Sequence, residues 1–363
     1  MDSQKNTQTL LNTPLHGVQL QNPNLAISQT QSHTQFQLDI SIHQTQAPKP
    51  NSQAIWTLKD QGERYTTLME LYKTDKGIVL NIECEGRGTF TFTPNHIDVN
   101  WQQQGTQFEH YFQSVGIACW LELQHIPCIH ANTVTLGDEA YLIIAPSRTG
   151  KSTLTTALLN HGFKLMTDDM VAIYPQDSKQ YIVYPSWPKI RLWPDSVDAL
   201  LGPDLESENS TKSEKRLTQQ SNLARSTEVA PNKPSPALKN KLATSERAPV
   251  HQKFAKSEIK IDTQDIWEQS PKKLKAIYFL ERQEQPNQLV KINKLTASTS
   301  LMMLLQNSIL ANAYTGLGLE TERLKKLAEM VNILPVYKME YQTGLKNLAQ
   351  INTELKKHIQ ELS

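Results

Sequence analysis

Residues 145–153 read Ala-Pro-Ser-Arg-Thr-Gly-Lys-Ser-Thr, a run whose types and spacing suit the binding of phosphate. The P-loop pattern of Gly, four residues, then Gly-Lys-Ser/Thr is met at Gly150, Lys151 and Ser152, while its first position holds Ala145. Backbone amides of 147–152 at a helix N-terminus can converge on an anion, where the helix dipole favours negative charge. Lys151 would then neutralise β- and γ-phosphate oxygens, and Ser152 would offer its hydroxyl to Mg²⁺. The expected cofactors are therefore ATP and Mg²⁺, and the expected binding segment is Ala145, Pro146, Ser147, Arg148, Thr149, Gly150, Lys151, Ser152 and Thr153. The structural alternative is an ordinary helix start with Ser147 or Thr149 as cap.

Asp168 and Asp169 strengthen the chemical reading. A helix of about ten residues travels ~15 Å from the loop, and a return strand over 163–167 covers ~16 Å back. Both carboxylates should finish beside the loop, where one can hold the Mg²⁺ shell and the other accept a proton from an incoming hydroxyl. Without the loop, an Asp-rich turn capping a strand would be the better reading. His130 is placed by a hairpin turning at Gly137-Asp138: residues whose numbers sum to 275 face each other, so His130 should stand opposite Ala145. Functional and structural roles for that imidazole stay open, its charge state mattering between about pH 5 and 8 in the functional case. In the segment 184–196, Ile190 and Leu192 should face the core, and Lys189, Arg191 and Trp193 the other side. Arg191 could stabilise transferring charge there or, equally, belong to a salt-bridged surface strand. Asp195 is expected to cap a helix over 196–201.

The elements that must position these residues follow from patterning. Short β-type runs at 65–72, 77–82, 89–93 and 96–101 precede a helix in which Phe108, Tyr111, Phe112, Val115, Ala118 and Cys119 recur at three and four. An apolar run at 141–145 leads into the loop, and the helix from Lys151 should end at Gly162 in the left-handed conformation. Later come strands at 275–281 and 336–341 and helices at 297–313, 320–333 and 345–361. Residues 1–54 hold eleven Gln and four charged residues, too little apolar surface to favour order, apart from one strand near 36–43. Residues 205–257 carry ten Lys or Arg against five Glu and read as a basic, solvated insertion. The expected organisation is thus 1–54 without fixed structure, a small α+β region at 55–124, a core at 125–204 interrupted by 205–257, and its second part with C-terminal helices at 258–363.

Composition narrows the classes further. The chain has 363 residues and a net charge of +1, which gives no global field for nucleic acid or an anionic membrane. Three cysteines, Cys84, Cys119 and Cys128, with no Cys-x-x-Cys, argue for a reducing compartment. Neither a signal-like start nor a run of about 18 uncharged apolar residues occurs, so the expectation is a cytoplasmic protein with no membrane and no nucleic acid partner.

The loop APSRTGKST, the His ahead of its strand, the Gly after its helix and MTDD at the next strand end together resemble the C-terminal catalytic domain of HPr kinase/phosphorylase. YPSWPKIRLWPDS and IYFLERQ make the sequence more similar to the HPr kinase-related proteins of bacterial peptide-modification clusters. The resemblance covers about 60–204 and 275–350. It implies an α/β fold with a P-loop core like that of phosphoenolpyruvate carboxykinase and HPr kinase, preceded by a small β-rich region and followed by a helical C-terminal part. It also implies that His130 and Lys151 are active-site residues, that Ser152 is a Mg²⁺ ligand and that Asp169 accepts the proton; of the carboxylate pair, Asp168 is then the one expected in the Mg²⁺ shell. Ala145 in place of Gly, the lack of the family's additional Glu near 190–200, and the basic insertion depart from the pattern. The expected activity is ATP- and Mg²⁺-dependent phosphorylation of a serine hydroxyl on a peptide or protein, such as a ribosomal peptide precursor, with self-association to a homo-oligomer left open. HPr itself is an alternative acceptor. A nucleotide-binding accessory protein without transferase activity is a rival of another class, and a carboxykinase of a small organic acid is a third.

Overall fold

The computed structural model describes residues 14–22, 34–45, 49–61, 66–102, 104–146, 149–177, 179–201, 247–251, 254–261, 265–284 and 287–362. The described residues form a mixed α/β structure with three sheets.

The first sheet has seven strands in the order β1-β2-β7-β6-β5-β4-β3. They are β1 (Val18–Gln21), β2 (Phe36–His43), β3 (Trp56–Gln61), β4 (Thr66–Thr74), β5 (Gly77–Glu83), β6 (Arg87–Phe92) and β7 (His96–Trp101). Alternation writes the sheet: in β7, Ile97, Val99 and Trp101 are buried and the residues between them are not. The Gln-rich stretch is accordingly not structureless throughout. β1 and β2 pair in parallel, and Val18, Leu20, Leu38 and Ile40 are fully buried; a few well-spaced aliphatics anchor strands that composition alone hides. The rest of 1–13 and 23–33 lies outside the described residues.

The expected helix after β7 forms as α1 (Phe108–Tyr111) and α2 (Ile117–Leu123), joined by a π turn over Phe112–Gly116. The extra residue of the π turn advances the buried stripe, so that Ile117 to Leu121 are all buried and Val115 only half-buried.

The second sheet carries the loop. Its strands include β8 (Cys128–Ile129), β9 (Asn132–Leu136), β10 (Glu139–Ile144), β11 (Lys164–Thr167), β12 (Val171–Pro175) and β13 (Tyr181–Val183). The hairpin register is the expected one, with Leu136 facing Glu139 and Asn132 facing Ile143. The ladder stops at Asn132, however, so His130 does not pair with Ala145. The chain instead changes partners: Cys128 and Ile129 pair with Ala172 and Val171, and His130 donates its N–H to the Asn307 carbonyl at 2.8 Å.

A third, three-stranded sheet has the order β14-β16-β15, from β14 (Lys189–Leu192), β15 (Arg247–His251) and β16 (Phe254–Lys260). The basic insertion therefore ends sooner than its composition suggests. Arg247 onward returns to the fold because Ile259 and Ile261, which are buried, give the end of the stretch an apolar anchor. Residues 202–246 lie outside the described residues.

The second sheet is completed by β17 (Lys272–Gln283), β18 (Val290–Lys294) and β19 (Val336–Gln342). β17 runs parallel to both β10 and β19, so the C-terminal ends of all three point the same way. Helices α3 (Lys151–Leu158), α4 (Pro194–Leu201), α5 (Ala297–Gln306), α6 (Tyr314–Leu317), α7 (Glu320–Ile333) and α8 (Leu348–Gln360) follow in chain order. α3 closes in a 3₁₀ turn and Gly162 at φ 87°, as its sequence predicts. The helix expected over 297–313 stops at Gln306, where Ser308 bridges to Ile129 and takes the chain to the edge of β8. In α4 Pro194 is the first helical residue and the Trp193 carbonyl accepts the first bonds; Asp195 sits in the first turn rather than at the cap.

Candidate active site

In open sheets, ligands bind beyond the C-terminal ends of parallel strands. Here β10 runs into the loop 145–150, Arg282 and Tyr341 are the next-to-last residues of β17 and β19, and the three meet. The Tyr341 hydroxyl donates to the Thr149 carbonyl at 2.7 Å. Gly150 has φ 93°, a backbone conformation that favours glycine, and a Cβ there would lie 2.5 Å from the movable end of Arg282. Thr149 closes the turn by donating to the Pro146 carbonyl at 2.6 Å.

Lys151 is buried at the start of α3 and donates to Asn132 Oδ1 at 2.7 Å, with its Nζ 3.8 Å from Asp169. Asn132 is the hub. Its Oδ1 also accepts the Asp169 N–H at 3.1 Å, and its Nδ2 donates to Thr155 at 3.0 Å. The Ser152 hydroxyl donates to Asp168 at 3.1 Å, and the other Asp168 oxygen accepts the Arg191 backbone N–H at 2.9 Å. Asp169 has φ 69°, an uncommon conformation for a residue with a Cβ, and such strain collects at functional sites.

Asp169 lies among cations: Arg191 Nη1 at 3.3 Å, Lys151 at 3.8 Å and Lys256 at 3.9 Å. Burial works against its charge, but Lys151, Lys256 and Arg191 together hold the carboxyl well below the usual range. Burial and the charge of Asp169 push Asp168 the other way. Two adjacent carboxyls in different environments thus have different proton affinities, the pattern that separates roles in a pair. Burial lowers Lys151, opposed by Asp169 and Asp168. Burial, then Lys151, bring His130 down to about 4, opposed by Asp169.

The expected site residues His130, Pro146, Gly150, Lys151, Ser152, Thr153, Asp168, Asp169 and Arg191 all line one cavity of about 1210 Å³. The Ala145 side chain packs into the core, leaving its backbone alone for the loop. Thr153 shares a 2.7 Å hydrogen bond with Ser196. Ser147 and Arg148 lie outside the described residues. Asn132, Lys256, Glu258 and Arg282 complete the cluster without having been picked from the sequence. Glu258 accepts from Arg191 Nε at 3.1 Å and Lys189 Nζ at 3.0 Å, and so holds Arg191 between itself and Asp169. Among the described lining residues five cations, Lys151, Lys189, Arg191, Lys256 and Arg282, outnumber Asp168, Asp169 and Asp195, an imbalance that suits a polyanion.

No group of three or more His, Cys, Asp or Glu among the described residues could hold a metal alone. The convergent hydroxyl and carboxylate of Ser152 and Asp168 are a hard oxygen pair, which fits Mg²⁺, an ion that takes one or two protein oxygens and fills its octahedron with phosphate and water. No helix of the described residues is long and apolar enough to cross a membrane.

No family model matches the chain, and no curated protein matches it. Among solved structures, the HPr(Ser) kinase/phosphatase from Coxiella burnetii is similar at a TM-score of 0.30 and 13% identity, over 65% of this chain and 97% of that one. A likeness that slight bears no weight for function, which has to be read from the side chains.

Proposed function

We propose that this chain is an ATP- and Mg²⁺-dependent kinase that phosphorylates a hydroxyl, that of a serine in a peptide or protein. The observation that carries the reading is the convergence of Lys151, Ser152, Asp168 and strained Asp169 on one cavity at the ends of parallel strands, tied together by Asn132. Loop amides and Lys151 would bind the triphosphate, and Ser152 with Asp168 would hold Mg²⁺, which supplies charge neutralisation to the phosphates. Asp169, kept ionised by its cations, orients the incoming hydroxyl and receives its proton as the bond to the γ-phosphorus forms and the bond from that phosphorus to the departing ADP oxygen breaks. A weak base suffices, because a loose transition state places little negative charge demand on the nucleophile until late. Arg191, held by Glu258, stabilises the charge that develops on the transferring group.

The test is incubation with γ-³²P-ATP, Mg²⁺ and serine-containing peptides, followed by phosphoamino-acid analysis. Label in phosphoserine is expected. ATP hydrolysis with no labelled acceptor would favour a nucleotide-binding accessory protein, and nucleotide-dependent consumption of oxaloacetate would favour a carboxykinase.

A further inference from the structure

The cavity is larger and less uniform than a nucleotide site alone requires. Small-molecule pockets run to about 300–1,000 Å³, and this one is about 1210 Å³. Its charged side chains come from the core. The wall contributed by the N-terminal layer, which includes Trp56, Leu58, Met69 and Val115, contains no Lys, Arg, Asp or Glu among the described lining residues.

Three observations mark that wall as built for a ligand. First, the buried His16 Nδ1 and Gln113 Oε1, both in lining residues, have no hydrogen-bond partner among the described residues. Such orphans are costly, and the amide of Gln113, on a half-buried side chain, can turn to a ligand that carries its own donors. Second, Gln113, Ser114 and Val115 belong to the π turn between α1 and α2, a distortion that recurs at functional sites. Third, β3 is an edge strand, with no strand paired to its outer side among the described residues, and Leu58 is 38% exposed. An open edge beside an apolar wall is a template for strand addition.

We propose that this wall is the acceptor site and that it takes an extended peptide segment with apolar side chains flanking the acceptor hydroxyl. The inference rests on the kinase reading above. Main-chain groups of the segment would meet Gln113 and the β3 edge, its apolar side chains would cover Leu58 and Val115, and its hydroxyl would reach Asp169 in the same cavity.

The test uses the full chain, γ-³²P-ATP, Mg²⁺ and a library of ten-residue peptides with a central serine and the other positions randomised. Labelled peptides should be enriched in Leu, Ile, Val, Phe or Trp within three positions of the serine. Leu58→Asp, a change at an exposed position, should erase that enrichment and raise KM for an apolar-flanked peptide at least tenfold, and Gln113→Leu should raise the same KM, with KM for ATP measured alongside. Labelling that ignores the flanks, or a preference unchanged in both variants, overturns this inference and leaves the kinase reading standing. Equal losses for peptide and ATP also overturn it. A change in oligomeric state on Leu58→Asp with flank preference intact would make the wall a contact between two copies. ATP binding with no peptide labelled at all overturns the kinase reading and this inference together.

Discussion

Among the described residues, two clusters of buried charge are built to opposite ends. Glu122 of α2 and Arg323 of α7, 0% and 2% exposed, form an ion pair sealed from solvent. The Glu122 carboxylate also accepts the Cys128 N–H at 2.7 Å and the Tyr314 hydroxyl at 3.2 Å, and Arg323 lies over the Tyr314 ring. One anion meets one cation there. Around Asp169, 28% exposed, three cations crowd one carboxylate and face an open cavity. Burial of charge is therefore not the mark of a site in this fold. Charge imbalance together with access is.

The largest expected effect lies in the open cluster. Asp169→Asn should lower phosphoryl transfer by about 10²- to 10⁴-fold, the range for losing a proton acceptor, while ATP affinity is retained because an anion near the phosphates has gone. Near-normal turnover with saturating acceptor would remove Asp169 from the chemistry.

In the sealed cluster, Arg323→Met strands a buried carboxylate and should cost about 3–5 kcal/mol of stability, read by urea denaturation, with kcat/KM per folded molecule unchanged. Combining it with Glu122→Gln should recover most of that loss. A fall in kcat/KM of the folded single variant would show that the pair belongs to the site, and the contrast would break.

Asp168→Asn sharpens the division of labour between neighbours. It should raise the Mg²⁺ concentration for half-maximal activity by roughly tenfold or more, since even outer-shell losses at metal sites reach that size; an unchanged Mg²⁺ requirement would take the ion away from Asp168.

The smallest effect concerns His130. Its folded pKa, about 4, lies below the ordinary 6.5, so the unfolded chain binds its proton first as pH falls. The stability it contributes is complete above 6.5 and is lost as pH falls toward 4. His16, brought down by burial to about 3, acts with the same sign. His130→Gln should therefore flatten part of the decline in Tm between pH 6.5 and 4, and the double variant with His16→Gln should flatten more. An unaltered decline would show that neither imidazole is buried neutral.

Much of the cluster was legible because it is local in the chain. Loop, helix and return strand span 145–169, and the hairpin sum rule holds through Asn132. Applied two residues short of His130, that rule places Asn132 across from Ile143, two residues before the loop, and would have found the hub. Lys256, Glu258 and Arg282 were hidden for another reason. They reach Asp169, Arg191 and Gly150 only through strand pairings made across a long basic stretch, and composition masks the strand pattern FAKSEIKI at its end. A heteropolar run with isoleucines at 259 and 261 was the available signal. β1 and β2 were obscured in the same way, their few buried aliphatics diluted by glutamine.

In the proposed kinase the cationic face of the open cluster holds the triphosphate through Lys151. Isothermal titration of MgATP into the intact chain and into Lys151→Ala tests it most directly. Saturable one-site binding by the wild type, with none by the folded variant at the same concentrations, is the predicted result; equal binding by the two would contradict the account.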